Sequence, residues 1–391
     1  MTTAAGSPNP PPRPVPHSIY LPGLDILRGI AVMLVVFYHG INPDDQFGHW
    51  TGLPELFFKL WLHGYLGVEL FFVLSGFLIT GILLRTKEDP HYFRNFYTRR
   101  VPRIVPAYLL LLIVLKATGM IGWRFLLACL LFVANMSHLV GAKLEFGPLW
   151  SLSVEEQFYV IWPLLLKRIS ARATLRLTLA ICIICPIVRW VRLRHVHYSV
   201  LIFKTYYIAD MLAYGALIAV CLFLGYLRPS NIRRVAAVWI LAGLAGSVYL
   251  ISVDYPGNPL SPLMVALHRL PFTWVFVGLV MLAVARDSRE FSNPLAALFK
   301  FLGYISYGLY LVHEFVFRIY DRLAVGTRWL PAPGVRLDAI ALRTISGTII
   351  AIALAYLSRR FFEQRFLNLK DLLAPRSTPV QSELPISAYS D

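Results

Sequence analysis

Residues 24–40 read LDILRGIAVMLVVFYHG, a nearly unbroken apolar run that still carries Asp25, Arg28 and His39. Ionisable groups in such a run are costly and usually face a cavity or a partner. Arg28 and His39 are eleven positions apart. On a helix that is three turns plus about 20°, so both lie on one face, about 16 Å apart along the axis. Asp25 precedes Arg28 by three and can pair with it. A guanidinium matches phosphate geometrically, and an imidazole titrating near neutrality moves protons. The plain alternative is a packed histidine and a snorkelling arginine. The shared face and the difference in depth argue against it.

Other polar residues interrupt apolar runs in the same way. GYLGVELFFVLSGFLIT (64–80) places Glu69 near the depth of His39. Gly67, Ser75, Gly76 and Gly81 are small enough to let helices approach closely. FYTRRVPRIVPAYLL (96–110) puts Arg99, Arg100 and Arg103 at the start of a span, as topological anchors or as phosphate ligands. GPLWSLSVEEQFYVIWPLLL (147–166) carries Glu155 and Glu156 beside Trp150, Gln157 and Tyr159, which reads as a polar outer vestibule. FLGYISYGLYLVHEFVF (301–317) adds Ser306, Tyr307, Tyr310 and His313. Tyr310 and His313 share a face by their spacing of three, which suits a hydrogen-bonded core pair.

The elements that position these groups are membrane helices. The 391 residues are 57% hydrophobic and 15% charged, where a soluble domain carries about 25% charge. Runs of spanning length recur along almost the whole chain, predicting an all-α polytopic membrane protein. The predicted crossings are 24–42, 64–84, 102–119, 150–167, 174–192, 206–226, 234–252, 266–285, 300–319 and 339–358. The basic loop RTKEDPHYFRNFYTRRVPR (85–103) belongs inside, and 43–63, with Asp44, Asp45 and Glu55 against Lys59, belongs outside. Parity then forbids a single crossing by 123–140, which is re-entrant or interfacial, and leaves both termini cytoplasmic. Arg189, Arg192, Arg194 and Lys204 fall on the outside in this scheme and run against it.

Residues 1–22 form a Pro-rich tail without the basic start and apolar core of a signal peptide. They are expected to be unstructured, as are 371–391, leaving 23–370 as the transmembrane domain. The net charge of +16 reports loop topology rather than nucleic-acid binding. Cys129, Cys182, Cys185 and Cys221 all sit in apolar segments. The CxxC of Cys182 and Cys185 lacks polar access and a second ligand pair, so it reads as packing and no metal is expected.

Taken in order, the blocks resemble the acyltransferase-3 family, integral-membrane O-acyltransferases that modify bacterial carbohydrates. The resemblance covers about residues 20–370. Arg28 and His39 match the family's basic residue, ten intervening positions and histidine. FFVLSGF (71–77) matches its FFxxSGF, and Arg100 with Arg103 matches its Arg-x-x-Arg. WSLSVEEQFY (150–159) and SYGLYLVH (306–313) look like two further blocks. YIADMLAYGALIA departs from the family, keeping Asp210 but carrying Ile208 where an arginine is usual, which puts a salt bridge there in doubt. Some family members carry a fused periplasmic hydrolase-like domain, for which this chain is too short.

The resemblance implies transfer of an acyl group, most often acetyl, from cytosolic acyl-CoA to a sugar hydroxyl in a multi-pass cell-membrane protein. Its partners would be acyl-CoA, a carbohydrate acceptor and the lipid bilayer, with no nucleic acid. Arg28, Arg100 and Arg103 would receive the donor, and His39 would be the general base. Asp25 and Glu69 complete the expected catalytic set, with Glu69 or the Glu155/Glu156 pair orienting His39. Glu155, Glu156, Ser75, Tyr310 and His313 are the expected acceptor-side residues, with Ser75 and Tyr310 as candidate oxyanion donors. A transporter or flippase would also place charges in spans, but no inverted repeat is present.

Overall fold

The computed structural model describes residues 21–41, 52, 61–195, 203–253, 261–286, 291–326 and 337–373. The two expected tails, except for their innermost residues, and most of the 43–63 loop lie outside these. Among the described residues every regular element is helical.

The helices are α1 (Pro22–Ile41), α2 (Leu66–Arg85), α3 (Tyr92–Ala117), α4 (Trp123–Leu130), α5 (Leu149–Arg168), α6 (Ala171–Leu193) and α7 (Thr205–Phe223). They continue with α8 (Ile232–Val253), α9 (Pro262–Leu267), α10 (Leu270–Ala285), α11 (Pro294–Tyr304), α12 (Ser306–Gly326), α13 (Leu337–Leu357) and α14 (Gln364–Leu373). A π-helical turn, Ser358–Glu363, joins the last two.

Seven helical stretches are long and apolar enough to cross a membrane, and α11 with α12, bent by 75°, forms an eighth candidate. They correspond to eight of the ten predicted crossings. The other two fall on α3 and α5, which have 26 and 20 residues. Both have spanning length, but their arginines and glutamates lower their hydropathy. Segment 123–140 is two short helices, α4 and a 3-10 turn over Ala134–Val140, broken at Phe132, which adopts a positive φ of 52°. Eight residues of α-helix rise about 12 Å, far short of the roughly 30 Å hydrocarbon core.

Helix α1 is the hub, packing on α2, α10, α11, α12 and α13. Its Val32, Val35 and Val36 belong to one apolar core, shared with α3, α5 and α12. Its Leu24, Leu27 and Ala31 belong to a second, shared with α2, α7 and α10. Glycines permit the closest crossings. A Cβ at Gly303 of α11 would stand 2.0 Å from the Asp25 carbonyl oxygen, and one at Gly76 of α2 would stand 1.9 Å from that of Leu212. Backbone contact of this kind replaces the hydrophobic drive that lipid cannot supply.

Candidate functional site: an imidazole pair beside an arginine-lined cavity

His39 lies in the last turn of α1, where its Nδ1 meets the Val35 carbonyl at 2.9 Å. His313 of α12 approaches from across the bundle. Its Nδ1 meets the Leu309 carbonyl at 3.2 Å, and its Nε2 lies 3.3 Å from His39 Nδ1. These partners assign the tautomers. Each ring donates from Nδ1 to its own helix, and His313 Nε2 accepts from the same His39 N–H. His39 Nε2 is left as the free basic nitrogen.

Glu314 faces that nitrogen, with Oε2 3.8 Å from His39 Nε2. Oε2 is buried without a hydrogen-bond partner, whereas Oε1 accepts from Arg318 one turn along the helix. Arg318 also donates to the Glu145 carbonyl at 2.8 Å. Gly147 lets that loop close over the carboxylate, since a Cβ there would lie 2.8 Å from Oε2. Arg343 of α13 donates to the His39 carbonyl at 2.8 Å and to that of Gly40, while Asp321 holds its other side at 2.7 and 2.8 Å. The backbone beneath His39 is thus fixed while its side chain stays 28% exposed, accessible to a reactant.

A cavity of about 200 Å³ lies below this pair. Arg28, Arg100, Arg103, Ser75, Glu155, Glu156 and Tyr310 all line it. Arg28 is held by Asp25 at 2.6 Å. The Arg100 guanidinium lies 4.7 Å over the Tyr159 ring. Ser75 and Tyr159 both donate to Glu155. Tyr310 and Ser151 share a hydrogen bond of 2.5 Å in the cavity wall. The Tyr310 and His313 rings lie 5.6 Å apart, so His313 and Tyr310 link His39 to the cavity.

The structure corrects four expectations. Glu155 and Glu156 do not form a separate outer vestibule; they share the cavity with the arginines. The register of α5 explains this, because Ser151, Leu152, Glu155, Glu156 and Tyr159 fall on one helical face. Gln157 points elsewhere, bonding the Phe132 carbonyl at 2.8 Å and Asn135 at 3.0 Å and so tethering segment 123–140. Glu69 is not brought to His39. Gly67 of α2 meets α1 closely, against the Ala31 carbonyl, and Glu69, two positions on, is rotated about 200° away. It faces α10, where Arg269 lies at 3.5 Å and Thr273 at 3.4 Å. Asp25 stands fourteen positions from His39, about 21 Å along α1, and orients Arg28 instead. Tyr310 and His313 adjoin without bonding each other; the Tyr310 hydroxyl goes to Ser151 and His313 to His39.

Glu314 is the residue the sequence reading missed. Its signal was present: an acid in a predicted span, four residues before Arg318, at the spacing of a helical ion pair.

The acyltransferase-3 family model, described as an acyltransferase domain, matches residues 21–360, which include His39, Glu314 and every cavity arginine named above. This chain belongs to the acyltransferase-3 family. The domain is 36% identical over 166 residues to a provisionally named O-acetyltransferase of Staphylococcus aureus (strain COL), covering 38% of this chain and 25% of that protein. It is 33% identical over 195 residues to YrhL of Bacillus subtilis (strain 168), provisionally named a peptidoglycan O-acetyltransferase, covering 44% and 28%. It is 27% identical over 325 residues to the peptidoglycan O-acetyltransferase OatA of Listeria monocytogenes, covering 75% of this chain and 49% of OatA. The matches thus span from a quarter to about half of these relatives' lengths. No solved structure matches.

In this acyltransferase-3 domain Asp210 does form a salt bridge, from an unexpected partner. Arg189 of α6 takes both carboxylate oxygens at 2.9 and 2.7 Å, with side chains only 5% and 1% exposed. Arg189 also donates to the Ala266 carbonyl at 3.0 Å and to that of Tyr207. Ile208 leaves a gap in the family pattern that an adjacent helix fills. One of the arginines that opposed the predicted orientation is therefore buried in the bundle, neutralised by Asp210.

Proposed function

We propose that this domain is a membrane O-acyltransferase that moves an acetyl group from acetyl-CoA to a carbohydrate hydroxyl, with His39 as general base. One observation carries the reading. The free Nε2 of His39, flanked by the unpartnered Glu314 oxygen, stands three helical turns from Arg28 on the same face, above an arginine-lined cavity.

The arginines hold the donor's phosphates, and its extended arm carries the thioester toward His39. Nε2 takes the acceptor hydroxyl proton as the hydroxyl oxygen attacks the thioester carbonyl. The tetrahedral intermediate collapses, the C–S bond breaks, and the imidazolium returns its proton to the departing thiolate. Glu314 stabilises the imidazolium between these steps. Ser75 and Tyr310 have hydroxyls committed to Glu155 and Ser151 in the resting protein, so either must exchange partners to serve an oxyanion.

The names of OatA and YrhL support peptidoglycan as the acceptor class. On the topology expected from the sequence, ten crossings with both termini cytoplasmic, the Arg28 end faces cytosolic acetyl-CoA and the His39 end an exported glycan. A transporter is not favoured, because the matched family and relatives are transferases. The test uses acetyl-CoA labelled in the acetyl group, supplied to inverted vesicles loaded with peptidoglycan fragments. The domain is expected to leave the label covalently on the glycan. Label that stays on CoA, or crosses as free acetate or intact thioester, rejects the proposal.

A further inference from the structure

The turn after α13 abuts Gly308, the neighbour of the cavity-lining Tyr307. Helix α13 passes into α14 through the π-helical turn Ser358–Glu363, a distortion frequent at functional sites. It turns Glu363 inward to 4% exposure. The Glu363 carboxylate accepts from the Ser358 hydroxyl at 3.2 Å and from Arg359 Nη1 at 3.4 Å. Gly308 makes room for it, since a Cβ there would lie 2.9 Å from Oε1. The Arg359 guanidinium stacks 4.6 Å over the Tyr304 ring, and its Nε is buried without a hydrogen-bond partner.

Tyr304 and Gly308 bracket the 75° break between α11 and α12. Just past the break, Ser306 and Tyr307 line the cavity. Arg103, on the cavity wall, lies within electrostatic range of Arg28, Arg100 and Arg359, and also of Glu363. Arg28 and Arg359 are each paired with a carboxylate, Asp25 and Glu363, so the cations left for an added anion are Arg100 and Arg103 on the cavity wall. Arg100 and Arg103 make no salt bridge among the described residues.

We propose that Arg359 is a fourth arginine of the donor site, held by Glu363 and Tyr304 so that its remaining N–H groups bind the phosphates at the nucleotide end of acyl-CoA. The inference rests on the donor reading above and extends that site into the C-terminal turn. Arg359 binds the donor; Glu363, acting through it, is a positioning residue. Lipid headgroup phosphates share the same chemistry, so the assay separates the two sources.

Binding is measured on the full chain in nanodiscs of phosphatidylcholine, alone or with anionic phosphatidylglycerol. The probes are acetyl-CoA and S-acetyl-pantetheine, which keeps the arm and lacks the nucleotide phosphates. Arg359→Ala is expected to weaken acetyl-CoA binding about ten-fold or more, the worth of one charge-assisted hydrogen bond. Binding of S-acetyl-pantetheine stays at the wild-type level, in either lipid. Arg359→Lys recovers part of the loss, and Glu363→Gln, which keeps the shape, loses acetyl-CoA affinity in the same direction. Arg359→Gln, which keeps a planar group over Tyr304, replaces the alanine variant if that fails to fold. Wild-type acetyl-CoA affinity in the Arg359 variants, with a loss in Arg28→Ala, overturns this inference and leaves the donor reading intact. Wild-type affinity in all of them overturns both. Equal losses for both probes, or a loss seen only with anionic lipid, assigns Arg359 to packing or to lipid and also overturns it.

Discussion

The imidazole of His39 on α1 and the carboxylate of Glu314 on α12 meet at 3.8 Å. The stripe from Arg28 to His39 was legible because both residues lie on one helix, where spacing fixes direction. The approach of His313 and Glu314 depends on how α12 crosses α1, which no local pattern encodes. Glu314→Gln keeps the shape and removes the charge 3.8 Å from His39 Nε2 that is proposed to stabilise its imidazolium. Acyl transfer is expected to fall by at least about ten-fold, toward the 10²–10⁴ typical of a general base, with acetyl-CoA affinity unchanged. Steady-state rates beside equilibrium binding check this, and an unaltered rate in the variant removes Glu314 from the mechanism.

At the scale of elements, the helices themselves were readable and their mutual rotation was not. Glu69 faces α10 because Gly67 is spent on the contact with α1. Glu155 joins the arginines because α5 presents one polar face. The partner of Asp210 came from α6, at an arginine that ran against the predicted orientation. Removing one member of so buried a pair leaves an uncompensated charge, at a cost of about 3–5 kcal/mol. Asp210→Ala is therefore expected to lower the thermal midpoint in detergent sharply, and Asp210→Ala with Arg189→Met to recover most of the loss. A double variant no better than the single one argues against this account of the pair. The contact between α1 and α11 gives a second case. Gly303→Val drives a side chain into the Asp25 carbonyl and is expected to cost about 1–3 kcal/mol or more. Because Asp25 holds Arg28, acetyl-CoA affinity should fall with it, and calorimetric titration of the variant tests that link.

For the whole molecule, the all-helical membrane architecture followed from composition, because lipid leaves the backbone few other ways to satisfy its hydrogen bonds. Among the described residues seven helices, or eight with the bent pair of α11 and α12, are long and apolar enough to cross; α3 and α5, which the sequence reading also counted as crossings, carry the cavity's charges and fall short of that measure. The proposed orientation puts the turn after α2 in the cytosol. A single cysteine at Glu88, which is exposed, should react with an impermeant maleimide in inverted vesicles and not in right-side-out ones. The native cysteines offer little background, since Cys129, Cys182 and Cys185 are buried and Cys221 is half-buried. Labelling of Glu88→Cys from the outside would reverse the orientation. The central claim, that donor binding and proton transfer occupy the two ends of one stripe on α1, is tested most directly by measuring acetyl-CoA affinity and acetyl transfer on the same purified His39→Ala protein. The account predicts affinity within about two-fold of wild type and no transfer to glycan above background. Transfer at the wild-type rate would contradict it.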